Sequence, residues 1–231
     1  EDGTVTAAIP APPAVAKVGD KEYTTLEAAF AALNETNHTL TLIDGSKWDA
    51  NTPVYYNGNF YANMDAAVEA ANTANTTEPA RIYCHPGASI TGGHTNLKTS
   101  VTIFGNGASM ASSWEPTVEY EGENYHTLKK AVQHTIYNLG KAGFWGGRHS
   151  DYQVDLTMID CKDAHEIVIN TGNGNGITNI TVKGCTFDGT KSSGSASVYS
   201  KFSGTVTIED CEFKNVPVPV NINVKTDADT T

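Results

Sequence analysis

The segment GFWGGRHSDYQVD, residues 143–155, holds the densest set of polar and aromatic side chains in the chain. Arg148, His149 and Asp151 place a fixed cation, an imidazole and a carboxylate side by side, with Asp155 close behind. These are the groups that acid–base catalysis uses, because an imidazole or carboxylate can move a proton at neutral pH. Trp145 and Tyr152 flank them. With Arg148, these rings form a candidate ligand-binding set, since flat rings stack on sugar faces while nearby Asn and Asp bind hydroxyls. The same residues also read as a Gly-rich loop in which Trp145 packs and Arg148 pairs with an acid. Structural ion pairs perturb such groups as readily as catalytic ones do.

Other motifs add little chemistry. No CxxC, GxSxG or HExxH occurs, so no metal ligands are expected. His85 and His94 flank a PGASITGG turn at a spacing that matches no compact ligand motif. TGNGNG (171–176) lacks the strand–turn–helix setting of a phosphate loop and reads as a connection. Asn34, Asn37, Asn75 and Asn179 head Asn-x-Thr sequons, which matter only in a glycosylating host. Trp48 and Trp114 are read as packing residues.

Composition narrows the class. The chain has 231 residues, 39% apolar and 18% charged, enough for a packed core. Its formal charge of −11 argues against nucleic-acid binding. Only Arg81 and Arg148 carry guanidinium groups, so bidentate anion clamps are scarce. No run of about 18 apolar residues is present, so no membrane span is expected. The small, Pro-rich start EDGTVTAAIPAPPAVA reads as a linker, residues 1–16. Both chain ends have the texture of a piece of a larger exported protein.

The elements that must position these residues are announced by a repeat. ITVKGCTF (180–187) and VTIEDCEF (206–213) are nearly one phrase, and LTMIDC (156–161) is a looser copy. Within each, apolar and polar residues alternate, the period of a half-buried strand. The cysteines fall at 161, 185 and 211, spaced by 24 and 26. A period near 24 with strand alternation predicts a parallel β-helix, each turn laid about 4.8 Å from the last. Stacked thiols are then small interior side chains, free and buried. A disulfide is disfavoured because in-register Cβ vectors run parallel. Asp160 and Asp210 share a slot two rungs apart, about 9.6 Å, too far to hold one calcium. They read as turn residues.

VTIEDCEFKN and ITVKGCTFDG resemble the generic rung of the right-handed parallel β-helix proteins, the pectin-lyase-like group. ARIYCHPGASI (80–90), followed by LKTSVTIFGNGASM (97–110), is similar to that group's first coils. The resemblance covers about 80–110 and 154–224. It implies a mainly β fold, a right-handed single-stranded parallel β-helix. It also implies a groove along one outer face where enzymes of the group act. Lyases among them use an Arg or Lys base and calcium held by carboxylates, which would make Arg148 the base. Calcium is the one cofactor the resemblance allows, and only for a lyase.

A second repeat predicts helices. GDKEYTTLEAAF (19–30), GNFYANMDAAV (58–68) and GENYHTLKKAV (122–132) align Tyr23, Tyr61 and Tyr125, then Leu26, Met64 and Leu128. Thr25, Asn63 and Thr127 stand at N-cap positions, so helices are expected over 26–34, 64–74 and 128–139. Such units resemble the segment that precedes β-helices in exported bacterial surface proteins, where the helix covers the open end of the coil. The expected organisation is a linker (1–16), capping units (17–78) with a strand over 39–44, and a β-helix (79–231) with an insertion at 114–153. The apolar last turn, NVPVPVNINV, needs cover.

These readings favour an extracellular, bacterial cell-surface module, adhesin-like, that binds a polysaccharide, surface glycan or host or partner protein. The alternatives are a carbohydrate-active enzyme, lyase or hydrolase, using the Arg148 cluster, and a structural spacer. No complete set of base, acid and cation is visible, so an enzyme is not the leading expectation.

Overall fold

Period-two sequences stacked in parallel build the molecule. The computed structural model describes residues 10–43, 46–74, 76–93, 95–119, 132–148, 153–170, 177–190, 196–202 and 204–224. On the first face lie six parallel rungs: Ala80–Cys84, Val101–Phe104, Val132–Tyr137, Gln153–Ile159, Ile177–Lys183 and Val206–Glu209. A third face stacks Asn96–Leu97, Thr117–Glu119, Phe144–Arg148, Ile167–Asn170, Ala196–Phe202 and Val218–Val224, also in parallel. Between them a second face carries Ser89–Ile90, Ser109–Trp114 and Gly140–Ala142, then Thr186–Asp188 and Glu212–Lys214. Ala164 joins its two parts by a bridge to Phe187, while His165 N–H donates to Ala142 O. The chain is therefore a mainly β parallel solenoid.

Registry turns sequence alternation into inward columns. One runs Ala80, Val101, His134, Leu156, Ile180, Val206, and the next Ile82, Ile103, Ile136, Met158, Val182, Ile208. The cysteine column stands as expected. Cys161, Cys185 and Cys211 are free, and the first two are buried. Each Sγ reaches two carbonyls, one on its own rung and one on the rung before. For Cys185 these are Lys183 O at 3.3 Å and Met158 O at 3.5 Å. Hydrogen bonding to Cys161, with burial, pushes the Cys185 thiol far up.

The slot before each of these cysteines, and before Leu139 one rung earlier, makes the corner. Asn138, Asp160, Gly184 and Asp210 all have positive φ, between 46° and 61°. Asn, Asp and Gly tolerate this left-handed conformation best, which explains their presence at this turn. At Gly184 a Cβ would also lie 2.2 Å from Asp160 Oδ1.

Two helices form where their caps announce them. α1, Leu26–Ala32, starts at Thr25, whose hydroxyl accepts from Ala28 N–H at 3.2 Å. α2, Met64–Ala74, starts at Asn63, whose Oδ1 accepts from Ala66 N–H at 2.9 Å. α2 covers the first end of the coil, burying Met64, Ala67, Val68 and Ala71 against its interior. The hairpin Val54–Tyr56 and Asn59–Tyr61 closes the adjoining sheet edge in antiparallel fashion. Its turn, Asn57–Gly58, has both φ angles positive, as a two-residue turn requires.

The α1 unit instead packs on the side. With the antiparallel strands Ala16–Val18, Lys21–Tyr23 and Leu40–Leu42, it covers the outward residues Tyr83, Phe104, Tyr137 and Ile159. Tyr83 stacks on Phe104 at 5.4 Å and Phe104 on Tyr137 at 5.2 Å. Phe30 of α1 stacks on Tyr83 at 4.3 Å, and His38 on Tyr137 at 5.1 Å. Arg81 ties helix to coil by donating to the carbonyls of Phe30 at 3.2 Å and Leu33 at 2.6 Å. Those carbonyls lie at the helix C-terminus, where a cation is favoured. Asn106 holds the next strand: its Oδ1 accepts from Leu40 N–H at 2.8 Å while its Nδ2 donates to Cys84 O at 2.9 Å.

Two expectations are corrected. The helix predicted over 128–139 is a strand from Val132 to Tyr137. In VQHTIY the β-branched residues find registered partners on both sides, and that packing overrides the helical spacing. The segment 114–153 is not an insertion where it is described, because Thr117–Glu119, Val132–Tyr137, Gly140–Ala142 and Phe144–Arg148 are all rungs of the coil. Residues 120–131, with most of the third helix unit, lie outside the described residues. At the far end Val218, Val220 and Ile222 are 45%, 39% and 42% exposed, in line with a last turn that needs cover.

His134 gives the core a pH dependence. It occupies an inward column between Val101 and Leu156, and burial lowers its pKa from 6.5 to about 3. The unfolded chain therefore takes up a proton near pH 6.5 that the folded chain refuses. Stability is full above that pH and falls by up to about 1.4 kcal/mol per unit as the pH drops toward the folded value. His134→Leu should flatten this slope and raise the melting temperature more at pH 5 than at pH 7.5. Melts at both pH values check it, and equal shifts at the two would contradict it.

Candidate functional site

Where the side cover stops, the first face opens. One outward column begins aromatic and ends polar, Tyr83, Phe104, Tyr137, Ile159, Lys183, Glu209, and the next is polar throughout, Arg81, Thr102, Thr135, Thr157, Thr181, Thr207. A third column reads Gln133, Asp155, Asn179. Beyond Tyr137 and Ile159 these residues line a cleft of about 500 Å³, with Glu35 of the side unit on its far wall. That volume lies in the usual range for small-ligand sites, about 300–1,000 Å³.

Registry fixes the polar groups in this cleft. Asp155 Oδ1 accepts from Gln153 Nε2 at 2.8 Å and from Asn179 Nδ2 at 2.8 Å. Asn179 Oδ1 in turn accepts from Thr205 N–H at 3.2 Å and Thr205 Oγ1 at 2.9 Å. The chain of bonds runs across three rungs and leaves Asp155 Oδ2 without a protein donor among the described residues. Lys183 pairs with Glu209 at 3.2 Å, and this hydrogen bond holds the ammonium pKa above its ordinary value. His38 closes the rim, with Nε2 2.9 Å from Asp160 Oδ2 and Nδ1 2.8 Å from Glu35 O. The lining thus offers three carboxylates, Glu35, Asp155 and Glu209, against one ammonium, Lys183. It can exchange hydrogen bonds with a hydroxyl-rich ligand and repels a polyanion.

The residues singled out in GFWGGRHSDYQVD divide. Trp145 and Arg148 lie on Phe144–Arg148 of the third face, away from this cleft. Trp145 is 49% exposed and registers with Thr117 and Val168, while Arg148 registers with Glu119. His149, Asp151 and Tyr152 lie outside the described residues. Among the described residues of that segment, Asp155 alone reaches the cleft. Trp48 and Trp114 are buried, as expected of packing residues. Asp160 and Asp210 are turn residues. Sequence reading missed Gln133, Thr135, Thr157, Asn179 and Thr181, although the polar slots of the repeated phrases carry the threonines. Among the described residues, one group places metal-ligand atoms near a common point: Glu115, His165 and Glu166, at another corner of the coil.

The placement of the tryptophans has an optical consequence. Of the three, only Trp145 meets solvent, so Trp145→Phe should remove the emission that iodide quenches readily. A quenchable share that persists in this variant would show that the third-face strand is misplaced.

No protein-family model, curated protein or solved structure matches this chain.

Proposed function

We propose that this chain is an extracellular, cell-surface module of the pectin-lyase-like kind, and that it binds a neutral glycan in the cleft of the first face. The observation that carries the reading is the cleft itself. Registered Thr, Asp and Asn side chains lie at strand spacing, all anchored to a stiff sheet. Preorganised hydroxyl, amide and carboxylate groups suit a hydroxyl-rich ligand. The charge of the lining favours a neutral sugar over a uronate, since three carboxylates outnumber one ammonium.

The free thiols do not oppose export. Burial pushes Cys84 far above the ordinary thiol pKa, and Cys185 is pushed up by hydrogen bonding and burial. Only the thiolate reacts in oxidation and exchange, so these cysteines tolerate an oxidising medium without pairing.

Titration calorimetry against neutral xylo-, manno- and cello-oligosaccharides tests the proposal, with polygalacturonate plus calcium as the anionic comparison. Binding should be confined to a neutral series. Asp155→Ala should weaken it about tenfold, equivalent to about 1.4 kcal/mol, and Thr157→Arg, which fills the cleft, should abolish it. Trp145→Ala should leave it unchanged. Loss in Trp145→Ala with none in Asp155→Ala would move the site to the third face. Release of unsaturated product from polygalacturonate, or no binding to any neutral series, would overturn the proposal.

A further inference from the structure

We propose that the corner between the second and third faces is a binding site for a divalent transition-metal ion, Zn²⁺ or Mn²⁺, with Glu115, His165 and Glu166 as ligands. The site is separate from the first-face cleft and does not depend on what that cleft binds.

Glu115 follows the strand Ser109–Trp114, and His165 and Glu166 precede Ile167–Asn170. Fifty residues apart in sequence, Glu115 and His165 sit at one corner of the coil, two rungs apart. That separation is about 9.6 Å of backbone, and the corner of the intervening rung is Gly143. Its N–H donates to Trp114 O at 2.9 Å, and a Cβ there would lie 2.3 Å from Glu166 O and 3.1 Å from His165 C. No side chain fits between the outer two rungs, so theirs converge across it. His165 Nδ1 contacts Glu115 Oε1 directly. One donor atom from each of the three residues lies within 4.8 Å of the other two. Metal–ligand bonds of about 2.0–2.2 Å place donor atoms up to about 4 Å apart, a separation close to that of this cluster.

The environment matches the ion's charge. The His165 side chain is 5% exposed and that of Glu115 17%. A dication compensates two partly buried carboxylates that the protein otherwise has to hold side by side. One imidazole nitrogen with two carboxylate oxygens suits Zn²⁺ or Mn²⁺, whereas Ca²⁺ takes six to eight oxygens. Three protein ligands leave room for a water or an exogenous group. The ion would also staple the rung of Glu115 to that of His165.

The test uses the whole chain, stripped of metal by chelator and dialysis, titrated with zinc chloride in a calorimeter and with cobalt(II) in a spectrometer. One equivalent of Zn²⁺ should bind at micromolar concentration or below, and cobalt(II) should show d–d bands that Zn²⁺ displaces and Ca²⁺ does not. Glu115→Gln and Glu166→Gln keep side-chain shape, so they test the site even where His165→Ala fails to fold. Each should weaken Zn²⁺ by at least about tenfold with an unchanged circular dichroism spectrum. The proposal is overturned by no uptake at millimolar Zn²⁺, or by uptake that both Gln variants leave intact.

Discussion

A parallel coil satisfies its backbone only through the rungs above and below, so a residue's place on one rung fixes its neighbours on two others. Like then stacks on like. Ile82, Ile103, Ile136, Met158, Val182 and Ile208 fill one interior column with side chains of similar volume, and Cys161, Cys185 and Cys211 fill a tighter one. The corner slot is equally constrained: Asn138, Asp160, Gly184 and Asp210 differ chemically, yet all are residues that accept positive φ. His134 is the exception that registry tolerates. It stands where its neighbours are Val101 and Leu156, and burial keeps its imidazole neutral.

The outside of the coil obeys the same registry but answers to a different partner on each stretch. Tyr83, Phe104 and Tyr137 stack under the α1 unit, where aromatic faces offer large buried area at fixed geometry. Ile159 ends the covered stretch of that column, and on the rungs beyond it stand Lys183 and Glu209, where the cover is gone. The change of residue type marks the boundary between a docking surface and a solvent-facing one. The cleft is the step between them, walled on one side by Glu35 and floored by the threonine and amide columns. Its position thus follows from how far the side unit reaches, and its chemistry from which polar residues the rungs present there.

Much of this was legible in the chain. The cysteine period placed the coil and the thiols, and Thr25 and Asn63 placed both described helices. What misled was similarity of another kind. GENYHTLKKAV shares the Tyr, Leu and Ala of the helix units, yet the part of its predicted helix from Val132 onward is a strand, because Val101 and Ile103 on one side and Leu156 and Met158 on the other need a rung there. One signal went unread: the Asn57–Gly58 pair between Val54–Tyr56 and Asn59–Tyr61 carries the φ preference of a two-residue hairpin. The site was less legible than the fold. Density of polar residues in GFWGGRHSDYQVD pointed along the sequence, whereas the cleft and the Glu115 corner gather residues one or two coil periods apart. Only the register, which a single phrase does not set, says which periods align.

The two ends of the coil show what such registry leaves unsolved. A stack has no partner for its first and last rungs, so interior columns surface there unless another element covers them. At the first end α2 lays Met64, Ala67, Val68 and Ala71 over the interior, and the hairpin pairs with the sheet edge. At the last end Val218, Val220 and Ile222 stand well exposed, and Cys211 is only half-buried where Cys161 and Cys185 are enclosed. The thiol ladder is therefore graded. Each sulfur is shielded by the rung that follows it, and Cys211 has no such rung among the described residues. Cys211 is thus the most exposed of the three, although its hydrogen bond with Cys185 raises its thiol pKa too.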